Sequence, residues 1–250
     1  MCGRYATTRS AADLSALFEA YDDTGDQLRP NYNVAPTTAV PIVRDAAAAE
    51  DAVTARGAGA AAVLSVARWG FLPPWARDVR AGARMINARA ETVATSRAYA
   101  SSFARRRCLV PADGWYEWTR RDGVRQAYYM TPRDGSVLAL AGLWSIWRGA
   151  DVPLLTCTVV TTAALGDLAG IHDRMPLLLP RDRWDDWLAG GGEPGDLLAP
   201  PTEEWLGGLE IRPVGKAVGD VRNNGPDLIA AVPAPPLRAL PEEPAASTLF

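Results

Sequence analysis

The sequence predicts an α+β single domain with a mostly antiparallel, barrel-like β core flanked by short helices. Three observations carry this reading. Five segments of strand composition follow one another in the middle of the chain, at 108–111, 114–119, 126–131, 137–147 and 154–162. Arg121-Asp122-Gly123 and Arg133-Asp134-Gly135 fall between them as turn signals. Short helical patterns are interspersed before and after that block, and hairpin-type strands with scattered helices give the α+β class.

In chain order, residues 2–8 read as a short strand. Ser10 opens a helix with Asp13 three residues on, a variant of the capping box, and Leu14, Leu17, Phe18 and Tyr21 mark its buried face by helical spacing. After a loop at 24–32, Ala39–Val43 reads as a strand of edge type because of its prolines. Residues 45–61 are rich in Ala, Gly and acids and read as a flexible hairpin loop. A strand at 63–69 runs into Gly70-Phe71-Leu72-Pro73-Pro74-Trp75, an aromatic turn stiffened by prolines. Residues 85–90 are short and extended, and a helix is expected from about Ser96 to Arg106 with Tyr99 and Phe103 at i,i+4. Beyond the strand block come a short helix at 163–169, an extended piece at 175–179, a helix at 181–188, a Gly190-Gly191-Gly192 breaker, a helical turn at 203–206 and a last strand at 209–214. The tail is rich in Pro, Ala and Glu and reads as disordered. We place the domain at 1–232 and the tail at 233–250, with no internal repeat.

Composition excludes several classes. With 250 residues, 48% apolar and 22% charged, the chain is ordinary for a soluble globular protein and long enough for a sizeable core. No apolar run approaches the roughly 20 residues of a membrane span, and the N-terminus lacks a charged leader followed by an apolar stretch. Cys2, Cys108 and Cys157 are odd in number and widely spaced, which suits neither a disulfide framework nor a zinc site and points to a reducing cytoplasm. A net charge of −3 argues by itself against nucleic acid. The balance conceals a bias, because Lys216 is the one lysine among the 26 basic residues and the rest are arginine. Several acids fall in segments that look peripheral, so a local basic groove is compatible with the total.

The first residues carry unusual chemistry. In Met1-Cys2-Gly3-Arg4-Tyr5 the initiator Met precedes a small residue, the context in which it is removed. Cys2 would then bear an α-amine and a thiol on adjacent carbons, which an aldehyde converts to a five-membered thiazolidine. The thiolate is a strong nucleophile, and an α-amine of pKa near 8 is partly neutral at physiological pH. Gly3 permits close backbone approach and Arg4 sets a cation beside the nucleophile. The alternative is a start codon preceding a buried Cys. His172, the single histidine, lies in Ile171-His172-Asp173-Arg174-Met175-Pro176 and suits general acid–base work, or else is a satisfied core residue. Glu117 lies among aromatics in Gly114-Trp115-Tyr116-Glu117-Trp118, where burial would keep it partly protonated near neutrality; alternation equally permits an outward-facing strand position. Asn87 is an amide in a short extended segment, or a turn-former. Arg4, Arg89, Arg97 and Arg174 neighbour these candidates, and Trp69, Phe71 and Trp75 cluster near the prolines. Arginines neutralise phosphates and exposed aromatics stack on unpaired bases, although most of the 9 tryptophans must fill the core.

Seven segments in order resemble the SOS-response-associated peptidase (SRAP) family of abasic-site processing proteins: Met1–Tyr5, Tyr32-Asn33-Val34-Ala35-Pro36, Arg68–Phe71 with Pro74-Trp75, Ile86–Thr92, Ala112–Trp118, Ile171–Pro176, and Val218-Gly219-Asp220-Val221-Arg222-Asn223. The resemblance implies a β-barrel-like α+β domain with a positively charged groove. It also implies a covalent thiazolidine between Cys2 and the ring-opened abasic site in single-stranded DNA, with Met1 removal that can be autocatalytic. By the same resemblance the site residues fall on Cys2, Asn87, Glu117 and His172, and the DNA contacts on Arg4, Asn33, Trp69, Phe71, Arg89, Arg97 and Arg174. It calls for no cofactor and no metal. The expected partner is single-stranded DNA with abasic sites, bound by a monomer in the cytoplasm and on the nucleoid when DNA is held. The acidic balance and the 45–61 insertion depart from the family pattern. Two other functions fit parts of the chain. An N-terminal-nucleophile cysteine amidase or peptidase would use Cys2 but leave the Arg and Trp clusters idle. A non-catalytic single-strand binding module would bind equally well after Cys2→Ala.

Overall fold

Strands fall where β-branched and aromatic residues are densest, and two sheets result. In this computed structural model, residues 2–49, 51–121, 124–190 and 192–233 are described. Met1, Glu50, Asp122 and Gly123 of an expected turn, Gly191 of the expected breaker, and the expected tail beyond Pro233 lie outside them. The strands are β1 (Tyr5–Thr7), β2 (Ala20–Asp22), β3 (Asn31–Val34), β4 (Ala39–Asp45), β5 (Ala62–Trp69), β6 (Asn87–Arg89), β7 (Arg107–Ala112), β8 (Gly114–Arg121), β9 (Val124–Pro132), β10 (Leu138–Trp147), β11 (Leu154–Ala163), β12 (Arg174–Pro176) and β13 (Leu209–Val214). One sheet has the order β13-β9-β8-β1-β3. The other runs β12-β11-β10-β7-β4-β5-β2, and a parallel contact of β5 with β11 (Thr156↔Arg68, Cys157↔Trp69) closes β11-β10-β7-β4-β5 into a five-stranded barrel. Closure removes the open edges that a sheet otherwise exposes. Apart from β5–β11, β6–β11 and β2–β5, the pairs are antiparallel, so the expected α+β, mostly antiparallel barrel is the architecture found.

The helices are short and sit on the outside. Ala11–Phe18 has the expected capping box, with Ser10 accepting from the Asp13 N–H and the Asp13 carboxylate returning to the Ser10 N–H, and it buries Leu14 and Phe18. The expected 96–106 helix is confined to Ala100–Arg105.

Two expectations need correction. β4 is an interior strand, not an edge: β5 pairs along its whole length and β7 pairs at Val43 and Arg44. Pro41 lies beyond the β7 ladder, so its missing N–H costs no bond on that side. The 45–61 segment is not a flexible hairpin either. It holds a helical turn, Val53–Gly57, and buries Ala49, Ala52 and Ala55 against Val63. Alanines lose no side-chain entropy on burial, and this run packs against β5 for that reason.

One core cluster joins the two sheets and holds Cys2, Tyr5, Trp69, Cys108, Trp115, Trp144 and Cys157, all essentially without solvent contact. A Cβ on Gly114, at the start of β8, would collide with the Met130 carbonyl and the Tyr129 ring. Only glycine lets β8 approach β9 there, and three residues further along β8 stands Glu117.

Candidate functional site

Cys2 leads into β1, which is held between β3 and β8 by Tyr5↔Val34 and Tyr5↔Trp115. The Tyr116 N–H donates to the Arg4 carbonyl at 2.9 Å. That register, carried one step back along β1, sets Gly3 opposite Glu117. The Cys2 carbonyl accepts from Asn87 Nδ2 at 2.8 Å. Asn87 is fixed in turn by the parallel pairing of β6 with β11 (Val159↔Asn87), and the Tyr99 hydroxyl donates to the Asn87 main-chain carbonyl at 3.3 Å. The Asn87 Oδ1 is buried with no donor among the described residues.

Glu117 is 4% exposed. Burial pushes its carboxyl up to about 7; the positive amino terminus pulls the other way and the Asp173 carboxylate adds to the rise. At neutral pH it is both an acid and a base. Burial, then the Glu117 charge, raises the Cys2 thiol above its ordinary value, so Cys2 rests as a thiol. This corrects the expectation of a thiolate beside a cation. Arg4 turns away, donating through Nη1 to Asn33 Oδ1 at 2.7 Å and to the Val218 carbonyl at 2.9 Å.

His172 is half-buried on the loop after the Gly166–Gly170 turn, its N–H bonded to the Leu168 carbonyl at 3.1 Å. Its Nδ1 accepts the Arg174 N–H at 2.9 Å and lies 2.7 Å from Asp173 Oδ1. Only one of these contacts suits each protonation state: the neutral ring accepts from Arg174, and the imidazolium donates to Asp173. Burial first, and the amino-terminal charge next, lower its pKa. The neutral form with hydrogen on Nε2 therefore prevails near pH 7.

The structure thus brings Cys2, Asn87, Glu117 and His172 to one place. The predicted DNA-contacting residues divide. Arg89 and Arg97 are exposed. Asn33 is buried, with Nδ2 on the Asp220 and Asn223 carbonyls at 2.9 and 3.0 Å, and ties the 220–223 loop to β3. Arg174 is forked on Glu91. Trp69 and Phe71 have no exposed face at all. Trp69 packs edge-on against Tyr5 and donates through Nε1 to the Ile86 carbonyl at 2.9 Å, and Phe71 packs on Tyr99. A base cannot stack on either ring, and that expectation is corrected. The exposed aromatic of the cluster is Trp75, 53% exposed, with the Arg97 guanidinium 5.6 Å over its ring. Sequence reasoning missed Tyr99, Asp173 and Glu91 as supporting groups. Tyr99 showed only the i,i+4 spacing of a core face, which says nothing about where its hydroxyl goes.

A closed five-stranded barrel with a second sheet, holding a residue-2 cysteine against a carboxyl that titrates near neutrality, defines an α+β protein with an N-terminal cysteine site. The chain belongs to the SOS response associated peptidase (SRAP) family, whose family model matches residues 1–221. It is 32% identical over 249 residues to the abasic site processing protein YoaM of Bacillus subtilis, covering 92% of this chain and 98% of that one. It is 31% identical to the abasic site processing protein YedK of Escherichia coli, covering 93% and 100%. Among solved structures, a protein from Bacteroides thetaiotaomicron superposes with a TM-score of 0.77 over 92% of this chain and 100% of that one, at 21% identity, a likeness of fold. No helix among the described residues is long and apolar enough to cross a membrane.

Proposed function

We propose that this chain processes abasic sites in single-stranded DNA by forming a thiazolidine between Cys2, freed by removal of Met1, and the ring-opened sugar. The supporting observation is the 2.8 Å bond from Asn87 to the Cys2 carbonyl. It fixes the residue that would carry both amine and thiol beside a carboxyl raised to about 7. His172 gives its Nε2 hydrogen to the sugar ring oxygen and recovers one from the C1′ hydroxyl, so the imidazole ends neutral and the aldehyde is exposed. The neutral amine adds to C1′. Protonated Glu117 supplies the proton with which the carbinolamine hydroxyl leaves as water. The resulting Glu117 carboxylate takes and keeps the thiol proton as sulfur adds to the iminium carbon, which leaves the ring nitrogen neutral with the hydrogen it already carried. One water is lost overall and Glu117 returns to its starting state. A denaturing gel of the chain with an abasic-site oligonucleotide tests the proposal: a heat-stable adduct is expected, and purified chain that retains Met1 yet forms the adduct would overturn the aminothiol route.

The Glu117 cycle has a pH signature. Water departure needs the acid, present below about pH 7, and thiol deprotonation needs the carboxylate, present above it. The adduct-forming rate is expected to bend near pH 7 and to lose that bend in Glu117→Gln, with a fall of about 10²-fold or more. Glu117→Gln at wild-type rate would remove the proton-transfer role.

On the DNA side, Trp75 under Arg97 is the surface on which a base stacks, and the exposed Arg89 takes a phosphate. Trp75→Ala is expected to weaken binding of undamaged single strands by about 1–3 kcal/mol. Fluorescence anisotropy with a labelled oligonucleotide reads this directly, and unchanged affinity returns Trp75 to a structural role.

A further inference from the structure

Arg174 holds a carboxylate in the way arginine holds a phosphate. Nη1 lies 2.5 Å from Glu91 Oε1 and Nη2 3.0 Å from Oε2; Nη2 also donates to the Thr161 carbonyl at 2.6 Å. Such a two-pronged fork fits carboxylate and phosphate alike. The arginine side chain is 14% exposed and the glutamate 52%, so the pair opens to solvent on the carboxylate side. The Arg174 Nε is buried with no acceptor among the described residues. Strand pairing brings a second cation close: Thr161 of β11 pairs with Arg89 of β6, and Ala163 with Arg174 of β12. The Glu91 carboxyl is held below its ordinary value, chiefly by its bonds to Arg174 against the effect of burial, and further by the charges of Arg174 and Arg89. The carboxylate is thus bonded to Arg174, two residues after His172, and lies within the field of Arg89, two residues after Asn87.

We propose that Glu91 is a specificity-determining residue: its carboxylate stands in the place of a backbone phosphate between Arg89 and Arg174, and an incoming strand must displace it. The inference rests on the DNA reading above and deepens it. Displacing Glu91 exchanges one anion for another at these arginines and leaves the carboxylate charge nearby, so the strand sheds fewer counterions than it would on arginines without that carboxylate. An intact strand meets this opposition at every encounter and leaves. A strand with an abasic site meets it once and is then held by the covalent bond. Glu91 thus lowers occupancy of intact DNA more than of damaged DNA.

Glu91→Gln tests this in the full chain, because the amide keeps the shape and an acceptor for Arg174 while removing the charge. The variant is expected to bind an intact single-stranded oligonucleotide about fivefold more tightly at low salt. Its log–log salt slope is expected to steepen by about one unit. Adduct formation on an abasic oligonucleotide, challenged with excess intact strand, should lose about the same factor in selectivity. Equal or weaker binding by Glu91→Gln, or an unchanged salt slope, overturns the inference and leaves Glu91 as an orienting group. If the wild-type chain neither binds single strands nor forms the adduct, the DNA reading itself fails; if it does both, only the role of Glu91 is at stake.

Discussion

Cys2→Ala is expected to give no heat-stable adduct with an abasic-site oligonucleotide under conditions where the wild-type chain gives a retarded band on a denaturing gel. Alanine keeps the α-amine after Met1 removal, so attack on the C1′ aldehyde still yields an imine. It lacks the sulfur that closes the ring, and an imine either hydrolyses or leads to strand cleavage by β-elimination. Borohydride should therefore trap a Cys2→Ala complex that heat destroys. Cys2→Ser should behave alike, because a hydroxyl closes the ring far less favourably than sulfur. The fully buried position makes a folding control necessary, and binding of intact single strands at wild-type affinity provides it. A normal heat-stable adduct from Cys2→Ala would end the thiazolidine proposal. His172→Ala separates sugar opening from ring closure: it should slow adduct formation by at most about 10²-fold without changing the stability of the adduct once made.

Much of this was legible in the sequence because the governing signals are local. Strand composition located the β7–β11 block, and Ser10 with Asp13 placed the start of the first helix, which ends at Phe18, so that Tyr21, expected on its buried face, lies in β2 instead. Barrel closure was harder to place, since it depends on a parallel contact between β5 and β11 that are far apart in the chain. The proline of β4 misled because a one-strand rule cannot see that β7 stops short of Pro41. The alanines of 45–61 misled because low hydrophobicity suggests solvent, whereas their small size lets the backbone approach β5.

The site shows the same division. Glu117 among aromatics was readable as a carboxyl with a raised pKa, because the flanking tryptophans and tyrosine alternate through a buried strand. The state of Cys2 was not readable. Proximity of Arg4 in sequence suggested a stabilised thiolate, but the Arg4 guanidinium is taken up by Asn33 Oδ1 and the Val218 carbonyl. Trp69 and Phe71 were assigned to DNA on residue type, and only the closed barrel decides that Trp75 alone of the three retains an exposed ring.

Asp51→Ala is expected to be among the most destabilising changes outside the site, although Asp51 itself is a partly exposed residue of the insertion. Arg44 on β4 is fully buried in the barrel wall. It donates through Nη1 and Nη2 to the two Asp51 oxygens at 2.8 and 3.1 Å and through Nη2 to Ser65 Oγ at 2.8 Å, with its guanidinium 4.8 Å over the Trp144 ring. Removing Asp51 leaves a desolvated cation whose remaining hydrogen-bond acceptor among the described residues is the neutral Ser65 hydroxyl, with a ring face and the charge of Asp23 beyond. Breaking a buried ion pair from one side costs about 3–5 kcal/mol; the Asp51 side chain is 40% exposed, so screening places the expected loss at the low end, about 3 kcal/mol. Burial tends to raise the Asp51 carboxyl, but the bonds and charge of Arg44 outweigh it and hold the pKa below its ordinary value. The sign follows: the stabilisation is complete above the unfolded-state value of about 4 and fades as pH falls through the lower folded-state value. Asp51→Ala should therefore lose stability at neutral pH and also lose that part of the acid sensitivity. Pairing it with Arg44→Met removes the stranded charge and fills the space with an apolar chain, and this double variant should recover most of the loss. Urea titrations at pH 7 and pH 4 measure all three chains. A single variant as stable as the wild type at pH 7 would show that the alanine contacts alone dock the insertion and that Arg44 finds its compensation elsewhere in the barrel wall.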